Sequence, residues 1–346
     1  MTNAVIQAVK LPASPTPWPT LDPFLFCVHH KDRYPQGNGA MGPAASLAGR
    51  QIGQDFAGRD GWNMYHGRTV PGFPQHPHRG FETITFARRG LIDHSDSLGA
   101  TARFGRGDVQ WMTAGGGIVH SEMFPLVDTT GPNHAELFQI WMNLPAIDKL
   151  VAPHFAMLWD EDIPHVVAVD DQGRRIVVTV IAGRYGQHVP PPPPPASWAS
   201  RSQADVAIWH VTMDPGATCM LPAATGSDTR RTLYLFEGAG AALGGTVLDN
   251  CSAAMVGAGD ETQLVAGPEP LELLMLQGRP IDEPVAQYGP FVMNTESEIE
   301  QAFSDYQRTQ FGGWPWPDDD PVHPCDRGRF ARHADGRLDE PASRAG

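Results

Sequence analysis

The chain has 346 residues, 41% of them hydrophobic and 18% charged, which is enough for two ordinary domains with real cores and excludes a disordered polymer. A formal net charge of -14 argues against non-specific binding to nucleic acid or to anionic membrane, both of which need a basic face. Gly 37 and Pro 33 punctuate the chain and lean it towards an all-β class.

No apolar run approaches the roughly 20 residues of a membrane span. The stretch MTNAVIQAVKLPASP lacks the basic start and long apolar run of a signal peptide, so a cytoplasmic location is expected. Cys27, Cys219, Cys251 and Cys325 are far apart with no C-x-x-C pair, which predicts reduced thiols and no zinc finger.

Residues 1–60 carry many Gly and Pro breaks and read as an N-terminal extension with the first strands. Within it Pro23–His30 looks like a strand, while Ala44–Ile52 is ambiguous. From 61 to 150 short strands alternate with Gly turns. FETITFARRG from Phe81 has the period-2 pattern of a half-buried strand. GDVQWMTAGGGIVHSEMF reads as strand, Gly-rich loop, strand, and HAELFQIWMNL from His134 to Leu144 as another strand. A second β block covers 151–285, with HVVAVD, RRIVVTVIAG, ADVAIWHVTM, RTLYLFEGAG, GGTVLDN, ETQLVAG and LELLMLQGRP at the spacing of a sandwich or barrel. The proline run Pro190–Pro195 is read as a stiff spacer, since no flanking basic residue supports an SH3-type ligand. Residues 286–312 hold the one convincing helix, capped by Asn294 or Thr295, with Ile299, Ala302 and Tyr306 on one stripe. The tail, 313–346, is rich in Pro, Asp, Arg and Gly and is expected to be poorly ordered. Two β blocks of similar size suggest a duplicated barrel.

The chemistry concentrates in FPQHPHRGFETITF, from Phe73 to Phe86. In a strand, residues i and i+2 share a face, so His76 and His78 present two imidazoles side by side, and His120 and Glu122 in VHSEM do the same. If the two strands are neighbours in a small barrel, all four side chains converge. Three imidazoles and a carboxylate suit Fe(II), and also Zn, Ni, Cu or Mn, and leave positions open on an ion that prefers six donors. A single His-x-His is usually incidental, but two such pairs favour a metal site. Glu82 is read either as a fifth donor or, preferably, as a residue orienting a histidine. Gly115–Gly117 either let the backbone approach a ligand or form a plain turn. His29, His30, His66, His94 and His134 are isolated, and His210 in the second block has no partner pair, so these are read as structural. No G-x-S-x-G, activated cysteine or phosphate-binding Gly motif occurs.

At these residues the sequence resembles the pirin family of the cupin superfamily. The matching stretches are FPQHPHRGFETITF, HSDSLG, GDVQWMTAGGGIVHSEM, Leu137–Pro145 and Gln287–Gly312. The resemblance implies an all-β fold of two cupin-type β-barrels, a bicupin, with a C-terminal helix packing back on the body. It implies a metal-binding barrel over 61–150 and a barrel lacking a metal set over 151–285. It implies that His76, His78, His120 and Glu122 hold the metal. Gly116 stands where the family usually carries a larger residue, and the resemblance does not cover the tail.

The function expected on these grounds is a metal-dependent dioxygenase of quercetin 2,3-dioxygenase type with an Fe(II)-type centre. Its partners are a small aromatic, flavonol-like substrate and O2. Glu122 would act as the catalytic base, and ring opening with loss of CO follows in the enzymes it resembles. Phe73, Phe81, Trp111, Phe138 and Trp141 are candidates for the apolar walls. The alternatives are a metal- or redox-sensing regulatory protein, a transcriptional cofactor that binds a partner protein without turnover, and a cupin whose metal is structural. A monomer is expected.

Overall fold

A computed structural model describes residues 5–342. Among them Glu296–Thr309 is the only α-helix, and the rest is strands joined by turns and short 3-10 segments. Chain contacts define two compact units, each built on a cupin-type barrel. One is Val28–Glu161 with the chain from Glu283 onward, and the other is the chain up to Cys27 with Asp162–Asp282.

The first barrel has two sheets. One contains, in spatial order, His154–Leu158, Val109–Thr113, Phe81–Arg89, Asn133–Asn143 and Phe24–Tyr34. The other contains Leu338–Asp339, Phe330–Arg332, Thr101–Gly105, Leu91–Asp96, Ile118–Met123 and Gly72–His78. Strand alternation decides what faces the interior. The Thr85 hydroxyl of the first sheet reaches Glu122 of the second at 3.0 Å. Thr85 therefore points between the sheets, and so do Phe81 and Thr83 at the same period. Gln139 and Trp141 pair with Thr85 and Thr83 across the ladder and share that face. Glu82, Ile84 and Phe86 point the other way, and Trp111 pairs with Ile84.

In the second unit the interior is aliphatic. Ile176, Val178, Trp209, Val211, Leu233, Leu235, Leu264, Leu273 and Met275 are all buried in one cluster. His210 lies between Trp209 and Val211, hence on the opposite face, where its Nε2 meets Glu272 at 3.0 Å. This barrel carries no imidazole set among its described residues. Val5–Lys10, which the sequence grouped with the extension, pairs with Ser252–Gly257 and so belongs to this second unit.

The helix packs its Ile299 and Ala302 against Val119, Phe291, Met293 and Phe311 on the first unit. A capping box starts it: the Glu298 amide donates to the Thr295 hydroxyl, and the Glu298 carboxylate accepts from the Thr295 backbone N–H. Arg79 ties the helix down by donating to Asp305 at 2.9 Å and to the Gly116 carbonyl at 2.7 Å.

The chain after 312 departs from expectation. It is ordered as far as it is described, because its backbone is used by the barrel. Phe330–Arg332 pairs with Thr101–Arg103 in the second sheet. The buried Arg103 is paired with Asp93 at 2.7 Å and also donates to the carbonyls of His323, Pro324 and Arg327. A fixed guanidinium fork holds the backbone of this segment at three carbonyls.

Gly115 and Gly117 are required for their backbone: φ is 48° and 133°, and a Cβ would lie 2.2 Å from the Val151 carbonyl and 2.5 Å from the Phe311 ring. Gly116 has no such constraint. Its missing side chain would point at the Leu150 carbonyl, so it does not open the barrel mouth.

Candidate metal centre

The Gly72–His78 and Ile118–Met123 strands are antiparallel neighbours, and His76 lies directly opposite His120. The Pro74–Gln75 pair bulges out of this ladder between Phe73 and His76. The bulge re-aims the strand, so His76 and His78 both turn to the interior face that His120 occupies. The ligand nitrogens of His76, His78 and His120 all lie within 4.8 Å of one another, and these three form the only such cluster among the described residues.

The hydrogen bonds select the tautomer a metal needs. His76 Nδ1 is 2.8 Å from the Pro74 carbonyl, and His78 Nδ1 is 3.4 Å from the Pro290 carbonyl. A carbonyl accepts only, so each Nδ1 carries the proton and each Nε2 presents a lone pair. His120 is wholly buried, and neither of its ring nitrogens has a hydrogen-bond partner. An imidazole buried with two unused nitrogens is costly unless something else uses one of them. This donor set fits a divalent transition metal. Burial keeps the three rings neutral: it holds His76 down at about 4, and pushes His78 and His120 well below the usual histidine range. Neutral imidazole is the form that ligates.

Glu122 lies on the same face as His120, one pleat along, but outside the histidine cluster. Its Oε1 is 3.0 Å from the Thr85 hydroxyl, which is also 2.7 Å from Gln139 Oε1, and its Oε2 is 3.4 Å from Gln139 Nε2. The single Thr85 proton serves one acceptor at a time. Burial raises the Glu122 carboxyl above its ordinary value, outweighing the opposing effects of His94 and the Thr85 hydrogen bond.

The expected apolar walls divide by strand face. Phe81 and Trp141 pack at 5.1 Å and 5.4 Å from the His78 ring, and Phe73 lies 6.3 Å from the His76 ring. Phe73, His76, Gln139 and Trp141 are only partly buried, which marks this side of the site as the one solvent reaches. Trp111, Phe138 and Glu82 do not face the site. Glu82 accepts from Thr113 at 2.7 Å on the outer face of the sheet, Trp111 shares that face, and Phe138 stacks on His29 at 4.5 Å there. Glu82 is therefore neither a fifth donor nor an orienting partner of a histidine.

His94, expected from the sequence to be an isolated structural histidine, lies beside the site. It pairs with Glu122 across the ladder, stacks on Phe155 at 5.1 Å, and sits 3.2 Å from Asp96 Oδ2. The signal was present as a further i, i+2 pair in DHSDSLG. Thr85 and Gln139, which hold Glu122, were also missed. They lie on the interior face of strands whose apolar residues drew the attention.

Comparisons with known proteins place the chain in a family. The family described as Pirin matches residues 17–142, and the Pirin C-terminal cupin domain matches 208–312. The chain belongs to the pirin family. A pirin-like protein of Caulobacter vibrioides is 38% identical over 69% of this chain and 80% of its own length. A Pseudomonas aeruginosa protein provisionally named quercetin 2,3-dioxygenase is 37% identical over 69% of this chain and 79% of its own length. Among solved structures, a quercetin 2,3-dioxygenase from Acinetobacter baumannii superposes with a TM-score of 0.69 at 25% identity, covering 89% of this pirin and 98% of that chain. No helix among this pirin's described residues is long and apolar enough to cross a membrane.

Proposed function

We propose that this pirin is a metal-dependent dioxygenase of quercetin 2,3-dioxygenase type, acting on a flavonol-like aromatic with O2. The observation that carries the reading is the buried His120, with both ring nitrogens unpartnered, between two histidines whose Nε2 atoms are left free. His76, His78 and His120 would hold the ion, with Glu122 as the carboxylate donor nearest to them. The donor set favours Fe(II) and also suits Zn, Ni, Cu or Mn. When bound, such an ion supplies Lewis acidity and open positions for a hydroxyl oxygen and O2.

The chain's own residues do the rest. Phe73, Phe81 and Trp141 offer ring faces that pack a flat aromatic and exclude water. Glu122 takes the proton of the substrate hydroxyl, and its raised affinity for protons suits it to that task. Thr85 and Gln139 fix the carboxylate while it does so. The names carried by the Pseudomonas and Acinetobacter proteins support this choice of substrate class.

Absorbance loss of quercetin in air tests the reading, using anaerobically Fe(II)-loaded protein beside a His76→Ala variant. Turnover that disappears in the variant is the expected result. Absence of turnover with iron bound would overturn it and leave the regulatory, partner-binding reading.

A further inference from the structure

The chain beyond residue 312 lies outside both family matches, yet two of its residues reach the strands on either side of His120. Trp316 Nε1 donates to the Asp96 carbonyl at 2.9 Å. The Asp319 carbonyl accepts from the Gln75 N–H at 2.7 Å, and the Asp319 carboxylate accepts from the Gln75 side-chain amide at 2.5 Å. Asp96 and His76 are the two ladder partners of His120. The segment therefore spans three neighbouring strands at the level of the histidines. The lengths agree, since three extended residues reach roughly 10 Å and two strand spacings are also roughly 10 Å.

The Asp319 contact falls on the bulge. Pro74 has no N–H, and its carbonyl orients His76. Gln75, displaced from the ladder, has a backbone N–H that the neighbouring strand does not take. Asp319 takes it, so both residues just before His76 are fixed, one by the His76 ring and the other by the tail. Further on, His323 N–H donates to Asp93 at 2.8 Å and Arg103 grips the next carbonyls, so the segment is anchored beyond the contact as well.

We propose that Asp319 and Trp316 are positioning residues for the metal centre: the post-helix segment is a strap that locks the Pro74–Gln75 bulge and so sets the aim of His76 towards a divalent transition ion. This rests on the metal reading of the histidine cluster. A strap of this kind acts on affinity and coordination geometry, not merely on folding.

The test uses the full chain stripped of metal and titrated with Co(II). Affinity is read by competition with a chromogenic chelator, and geometry by the visible Co(II) bands. Asp319 is exposed, so Asp319→Ala leaves the core untouched; it removes the carboxylate that accepts from the Gln75 side chain and keeps the backbone bond to the Gln75 N–H. It is expected to weaken Co(II) binding by about tenfold, the lower end of the range for groups that orient ligands, and to shift the bands. Asp319→Asn, which keeps a side-chain acceptor for Gln75, restores both. Trp316→Ala combined with Asp319→Ala weakens binding further, and Glu340→Ala, at the far end of the segment, leaves it unchanged. Wild-type affinity and bands in the double variant, even with a lower Tm, would overturn the proposal that the Asp319 and Trp316 side chains position the centre. A wild-type protein that takes up no Co(II) would overturn the metal reading as well, and that result shows in the wild type alone.

Discussion

His76 and His120 face each other across one antiparallel ladder with ring centroids 4.4 Å apart and no hydrogen bond between them. Two rings so close, His120 wholly buried with no partner and His76 with only its Nδ1 engaged, are arranged for something that lies between them. Replacing His120 by Ala should abolish the rise in Tm that a bound metal gives, which is worth about 2.7 kcal/mol at a free metal concentration one hundred times Kd. The metal-free variant should melt no lower than the metal-free wild type by more than a small-cavity effect, because an imidazole with no partners contributes no hydrogen bond to lose. Differential scanning fluorimetry with and without Ni(II) checks both.

The pH response follows from His76. Its folded value, lowered by burial to about 4, lies below the ordinary 6.5. Between those two values the unfolded chain binds the proton and the folded one does not, so stability is present above 6.5 and falls as pH drops through 4. The metal-free protein should lose stability over that window. Metal uptake should persist well below pH 6.5 and fail as pH nears 4. Metal content after dialysis at stepped pH is the measurement, and loss already complete at pH 6.5 would contradict it.

Thr85→Val removes the hydroxyl nearest Glu122 Oε1 while keeping the side chain's shape. A buried carboxylate left with one poor partner holds its proton more tightly. Metal affinity should fall roughly tenfold, within the range for groups that orient ligands. The acid limb of any quercetin turnover should move to higher pH. Isothermal titration with Ni(II) and a pH–rate profile read the two effects.

The two faces of the first sheet make opposite predictions for substrate. Trp141→Ala should raise the KM for quercetin several-fold with metal content unchanged, since Trp141 packs beside His78 at the open side of the site. Phe138→Ala should cost about 3–5 kcal/mol of stability, as large-to-small core changes do, with KM unaltered in the folded fraction. Steady-state kinetics and urea melts on the same two preparations separate the roles.

Arg103→Met breaks a wholly buried ion pair and frees three carbonyls at once. Leaving Asp93 unpaired should destabilise by about 3–5 kcal/mol. Limited proteolysis should then cut first between residues 313 and 330, where the wild type should resist.

Much of the site was legible because period-2 alternation is a strong code. His-x-His and His-x-Glu place their partners on one face whatever the rest of the fold does, and Thr295 with Glu298 announces a helix start. The alternation failed where both faces of a strand are buried. Trp111 and Met112 are each fully buried on opposite faces, so nothing in VQWMT says which one looks inward. Glu82 departs from expectation because the turn at Gly80 puts it on a different strand from His78 and breaks the alternation between them. The tail was misread because its order comes from Arg103 and Gln75 binding its backbone, and backbone hydrogen bonds leave no mark on hydrophobic pattern. Val5–Lys10 escaped because its partner strand begins at Ser252.

The division of the chain has a consequence for synthesis. The unit that carries the histidine cluster starts at Val28, is interrupted after Glu161 and resumes at Glu283. The second barrel, although later in the sequence, has all its strands once Gly278 has emerged. The first still waits for Phe291, the helix and the strand at Phe330. The unit that carries the histidines is thus the last to be completed on the ribosome. His76, His78 and His120 emerge long before the carbonyl of Pro290 and the segment beyond the helix that fix their surroundings, so the ion should be captured in its final setting only near the end of translation or after it.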